Sequence, residues 1–121
     1  PADLNTFIRG YVRGDLYSDA VREEQQALFI PAGGSDPLGP GLNSASLALF
    51  RYETPCGTVY GHSGNTFGYT QYAFASPSGE RSATVSITIQ RTQDNEGPAA
   101  AVFDAFQRLG QAAICLAMEG A

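Results

Sequence analysis

Tyr60-Gly61-His62-Ser63-Gly64-Asn65-Thr66-Phe67-Gly68-Tyr69 holds the single histidine of the chain, three glycines and the hydroxyls of Ser63 and Thr66. Segments of strand composition flank it, Thr58 to Gly61 before and Tyr69 to Ala75 after, so the stretch reads as a glycine-rich connection between two strands. A backbone without Cβ atoms lets a ligand approach its N–H groups directly, which is what an anion or oxyanion site requires.

Outward from this stretch the pattern is that of a sheet. Leu47, Leu49 and Arg51 alternate with Ala48, Phe50 and Tyr52, which predicts a strand that Thr54-Pro55-Cys56-Gly57 then turns. Downstream, Ser76-Pro77-Ser78-Gly79-Glu80 separates the Tyr69 to Ala75 strand from Arg81 to Arg91, where Ala83, Val85, Ile87 and Ile89 alternate with Ser82, Thr84, Ser86 and Thr88. These connections are too short for parallel crossovers, so the expectation is a four-strand antiparallel meander.

Helices bracket the sheet. Leu4, Phe7, Ile8, Tyr11 and Val12 recur at helical spacing between Asp3 and Gly14, predicting an amphipathic helix over residues 3 to 13. Ser18 is placed to cap a second helix from Asp19 to about Leu28, with Val21, Gln25 and Leu28 on one side. Four glycines and three prolines within Pro31 to Asn43 predict an ordered surface loop or a lid bordering the site, with a disordered linker as the alternative. Asp94-Asn95-Glu96-Gly97-Pro98 ends the sheet and opens a C-terminal helix, with Val102, Phe106, Leu109, Ala113 and Leu116 predicted to face the sheet. The fold class is therefore α+β: an antiparallel meander flanked by N-terminal helices and a C-terminal helix, in one segment spanning residues 1 to 121.

Composition narrows the function. The net charge of −5 and the scattered arginines leave no basic footprint for nucleic acid. No apolar run approaches the ~20 residues of a membrane-spanning helix, and no secretory leader is visible at Pro1. All seven basic residues are arginine, so lysine is missing altogether. Cys56 and Cys115 read equally well as a disulfide or as two buried thiols.

His62 has three readings: general base, metal ligand or structural histidine. With no second histidine and no Cys-x-x-Cys pair, a zinc site built from nitrogen and sulfur ligands is disfavoured, and no metal or cofactor is expected. Ser63 adjoins His62 but points to the opposite face of a strand, so the two do not form a serine–histidine couple.

The stretch resembles the third active-site motif of the penicillin-recognising serine hydrolases, Lys-Thr-Gly in most members and His-Thr-Gly or His-Ser-Gly in some. The His62-Ser63-Gly64 strand, the Gly68-Tyr69 that follows and the next turn and strand look most like the D-alanyl-D-alanine carboxypeptidase and class C β-lactamase branch. The opening helix Asp3-Leu4-Asn5-Thr6-Phe7, the loop Leu38-Gly39-Pro40-Gly41-Leu42 and the closing helix resemble the final third of that branch, so the resemblance covers nearly the whole chain. It implies that His62 stands in for the motif's basic residue and that Ser63 offers its hydroxyl to a substrate carboxylate. It further implies that Gly64 lets the ligand lie along the strand, that Asn65 gives a backbone N–H to the oxyanion hole, and that Phe67 borders the substrate. Related exported carboxypeptidases are similar in having a cysteine just before this motif and another in the last helix. The resemblance therefore implies a Cys56–Cys115 disulfide and a secreted or cell-envelope location.

The chain also departs from that family. Its nucleophile is the serine of Ser-x-x-Lys, and a chain without lysine has no such motif; Tyr-x-Asn is missing as well. The resemblance implies that both lie upstream in an N-terminal remainder of the same enzyme. This chain is then the C-terminal part of a β-lactamase/transpeptidase-like fold, inactive alone, from a parent that acts on a peptidoglycan peptide, a β-lactam or an ester. The rival is a self-contained, non-catalytic α+β binding or interaction module with a structural His62. Self-association of the isolated chain favours the fragment, and a sharply folding monomer the module.

Overall fold

The computed structural model describes residues 1 to 32, 43 to 90 and 98 to 120. Nearly all of the expected loop between Pro31 and Asn43, and residues 91 to 97 before the last helix, lie outside the described residues. The elements are α1 (Ala2–Arg13), α2 (Asp19–Ala27), β1 (Ile30–Pro31), β2 (Asn43–Ser46), β3 (Leu49–Thr54), β4 (Gly57–Thr66), β5 (Tyr69–Ala75), β6 (Ser82–Ile87) and α3 (Pro98–Glu119). The strands form one antiparallel sheet in sequence order, β1 to β6. The α+β class, the flanking helices and the antiparallel meander are as the sequence predicts.

Local chemistry fixes the helix ends. Gly14 ends α1 in the left-handed region, φ 86°, with its N–H donated back into the last turn. Ser18 caps α2 by accepting from the Val21 N–H. Of the α2 residues expected on one side, Gln25 is buried, whereas Val21 and Leu28 are exposed.

The sheet has six strands rather than four, because β1 and β2 precede the expected meander, and two boundaries differ. Leu47 and Ala48 are a turn, not strand: Ser46 pairs with Leu49, and Ala48 takes φ 50°. No glycine or asparagine signals this turn, and a left-handed alanine is unfavourable by itself. Side chains from the helical layer hold it. Gln25 Nε2 donates to the Leu47 carbonyl at 2.8 Å and the Tyr11 hydroxyl donates to the same oxygen at 3.4 Å. The second difference is that β4 continues beyond Gly61 through the glycine-rich stretch to Thr66, so that the reversal falls at Phe67-Gly68, with Gly68 at φ 77°. At the far edge β6 ends at Ile87, short of the alternation that runs to Ile89.

The sheet is covered on both faces. On one, Tyr52, Val59, Tyr72 and Phe74 pack with Phe106 and Ile114 of α3; on the other, Leu49, Ala73 and Ala75 pack with Ile8 and Val12 of α1. The α3 residues in contact agree with the expected stripe at Phe106 and differ elsewhere. Phe106 and Ile114 are buried, but Val102, Leu109 and Leu116 are exposed at 47%, 48% and 76%. This helix is apolar around most of its circumference, so periodicity alone does not select the face that meets the sheet. Cys56, in the two-residue turn between β3 and β4, is disulfide-bonded to Cys115 of α3, with Cα atoms 5.2 Å apart.

Candidate functional site

The pairing of β4 sets the geometry of the site. Its partnership with β3 ends at Gly61–Phe50, while its partnership with β5 continues to Thr66–Tyr69. Residues 62 to 66 therefore keep one strand edge without a strand partner among the described residues. Every second residue on such an edge presents both its N–H and its C=O, the arrangement that an extended ligand recognises by strand addition.

The candidate residues follow one another along this edge. His62 is exposed, its ring edge-on to Phe50 with centroids 5.0 Å apart. Its Nδ1 lies 2.6 Å from the Ser63 carbonyl oxygen. A carbonyl only accepts, so Nδ1 carries the proton and, in the neutral ring, Nε2 is the basic nitrogen. Ser63 is half-buried, and its hydroxyl has no protein partner among the described residues. Gly64 is exposed, and a Cβ built there meets nothing within 4 Å. Its φ is not positive, so neither packing nor backbone conformation demands glycine at this position.

Asn65 is tied from behind. Its Oδ1 lies 2.5 Å from the Thr70 Oγ1, which also donates to the Ile89 carbonyl at 2.8 Å. A hydroxyl has one proton, so both contacts are satisfied when the Asn65 amide is turned to donate its NH2 to Thr70. Thr70 is buried, and through it the side chain of Asn65 is linked to the chain beyond β6. No signal in the sequence singled out Thr70, because an isolated threonine in a strand is ordinary.

His62 to Thr66 form one wall of a groove of about 340 Å³; Leu4, Phe7 and Ile8 of α1 and Tyr69, Gln71 and Ala73 of β5 form the remainder. Phe67, at the tip of the β4–β5 turn, is 91% exposed and does not line the groove. The aromatic residues that line it, besides the His62 ring, are Phe7 and Tyr69. Leu4 and Phe7 carried only a core signature in the sequence, because an amphipathic pattern marks a buried face without showing where the covering sheet ends. Among the described residues no group of three or more His, Cys, Asp or Glu is placed to hold a metal ion, and none of the residues gathered here is a lysine.

A six-stranded antiparallel sheet between helical layers, with a His-Ser-Gly strand edge open beside one of them, defines an α+β fold. The same fold occurs in a D-stereospecific amidohydrolase from Streptomyces sp., with a TM-score of 0.65 and 20% sequence identity over 91% of this chain. The match covers 28% of that enzyme's chain, so the present chain corresponds to a minor part of its length. No protein-family model matches the sequence.

Proposed function

We propose that the chain is the substrate-binding wall of a serine acyl-transfer hydrolase whose nucleophile is supplied by another part of a longer polypeptide. The observation that carries this reading is the open β4 edge at residues 62 to 66, where Gly64 leaves space that the fold does not need and the Ser63 hydroxyl has no protein partner. In this reading Ser63 hydrogen-bonds a substrate carboxylate or carbonyl, Gly64 lets the substrate backbone lie along the strand, and the Asn65 N–H stabilises the oxyanion. One such donor typically contributes about 3 kcal/mol in the transition state. His62 acts near the leaving group through Nε2. The structural neighbour is by name a D-stereospecific amidohydrolase, which favours an amide next to a D-configured centre over a simple ester as the parent's substrate. A disulfide persists in oxidising surroundings, which supports a secreted or cell-envelope location.

Two outcomes test this reading. The isolated chain is expected to show no amidase, esterase or β-lactamase turnover and no covalent adduct with a fluorescent penicillin by mass spectrometry. An adduct at any serine would remove the need for an upstream nucleophile. In the full-length parent, His62→Ala is expected to lower the acylation rate by about 10²-fold or more, the usual range for a positioned proton-transfer group. Its melting temperature should stay nearly constant because the side chain is exposed. Unchanged acylation with a lowered melting temperature would make His62 structural.

A further inference from the structure

The tip of the β4–β5 hairpin has little packing to hold it. Residues 64 to 69 are all exposed, and beyond Gly61 the strand β4 has β5 as its only strand partner among the described residues. A hairpin end with few buried contacts and with hydrogen bonds open to water is where local opening is easiest. An oxyanion donor, however, serves catalysis only when its N–H is fixed in advance, to within about 0.5 Å of the productive position.

Thr70 adjoins this tip and is 1% exposed. It is the register partner of Asn65, so the two side chains share a face of the sheet. That face is also the face of Tyr72, two residues on, which packs on Phe106 of α3. Gly64 and Thr66 belong to the opposite face, toward α1, so the Asn65 carboxamide is directed away from the apolar wall of the groove. There it meets the Thr70 Oγ1 at 2.5 Å, and the same hydroxyl donates to the Ile89 carbonyl at 2.8 Å, just past the end of β6 at Ile87. Carboxamide, hydroxyl and carbonyl tie β4, β5 and the chain leaving β6 crosswise, at the level where Asn65 presents its backbone.

We infer that Thr70 is a positioning residue for acyl transfer: by clamping the Asn65 side chain to the Ile89 carbonyl, its hydroxyl fixes the backbone N–H that receives the oxyanion. This role presupposes the proposed function, which is what makes the Asn65 N–H an oxyanion donor. Thr70 does not line the groove and acts only through Asn65. The role requires a hydroxyl, which accepts from the carboxamide and donates to the carbonyl at once. Valine keeps the branched shape and does neither, whereas serine does both. Asn65 and Ile89 are at exposed positions, so water takes the place of a missing hydroxyl, and what is lost is placement more than stability.

Amide exchange of residues 62 to 66, in the 121-residue chain and in the full-length parent, is expected to be faster in Thr70→Val and close to wild type in Thr70→Ser. In the parent, Thr70→Val should lower kcat for acylation about 10-fold or more, with KM and melting temperature little changed, and Thr70→Ser should keep most of the rate. The loss should be smaller with the thionoester of the same substrate, because sulfur accepts hydrogen bonds weakly and draws less on the oxyanion donor. Unaltered exchange in Thr70→Val would overturn the inference, as would a loss of rate that serine does not restore or that ester and thionoester share equally. Normal acylation by Thr70→Val in a parent that His62→Ala impairs would overturn it and leave the proposed function standing. If neither substitution alters acylation, the proposed function fails and the role of Thr70 with it.

Discussion

Replacing Cys56 and Cys115 together by serine is expected to lower the unfolding free energy by roughly 4 kcal/mol and the melting temperature by roughly 10 to 20 °C for a domain of this size. The two residues are 59 apart in sequence, so the bond closes most of the sheet into one loop and removes many conformations from the unfolded chain. It also holds α3 to the β3–β4 turn, where few other contacts do so. Phe106 and Ile114 anchor the helix on Tyr52, Val59, Tyr72 and Phe74, and Arg81 donates to the Met118 carbonyl near its end. The disulfide adds a covalent link between this helix and the turn of the β3–β4 hairpin. Urea and thermal unfolding of the double variant, followed by circular dichroism, measure the effect. A melting temperature within a degree or two of wild type would show that the bond contributes little, and the compartment argument would lose its basis.

Gly61→Ala should be nearly as damaging, although it adds a single methyl. A Cβ at Gly61 overlaps the Ala73 carbonyl oxygen and comes to 2.6 Å from the Phe74 Cδ1 and 2.9 Å from its Cα. Gly61 pairs with Phe50 on one side and Phe74 on the other, so the strand has no free direction in which to move. Phe74 itself packs edge-on against Tyr52 at 5.3 Å. Overpacking of this kind costs about 1 to 3 kcal/mol, and the upper end applies where backbone must shift. Three residues on, Gly64→Ala meets open space and is expected to change stability by no more than about 0.5 kcal/mol. Under the proposed function the order reverses in the longer polypeptide: Gly64→Ala should weaken substrate or inhibitor binding, because its methyl occupies the groove. Equal destabilisation by the two substitutions would mean that both glycines serve the fold, and the space beside Gly64 would no longer argue for a ligand.

These two glycines show the limit of reading the site from sequence. Both belong to the same stretch, and a glycine-rich strand segment looks alike whether its glycines admit a neighbouring side chain or a ligand. The difference lies in what β5 brings to each: Phe74 against Gly61, open groove beside Gly64. His62, Ser63 and Asn65 stand together by adjacency, so their grouping was legible. The rear contact from Thr70 and the facing wall of Leu4, Phe7 and Ile8 come from distant chain and were not.

What the sequence determined by itself is local or compositional. Gly14 and Ser18 bound the first two helices because their φ/ψ preferences and hydrogen bonding act within one turn of chain. The Pro55–Cys56 turn and the alternation through β5 and β6 are likewise set by neighbours in sequence, and the missing lysine excludes a Ser-x-x-Lys nucleophile whatever the fold. Only the tertiary structure decided the rest. The Leu47–Ala48 turn forms against the preference of alanine because Gln25 and Tyr11 reach its carbonyl. β4 runs on through its glycines because β5 pairs with it as far as Thr66. Helix α3 is apolar on several sides, and the face it buries is the one that reaches Tyr72 and Phe74 while Cys115 meets Cys56. Each of these outcomes depends on free energy from residues far apart in the chain, which periodicity within one element does not contain.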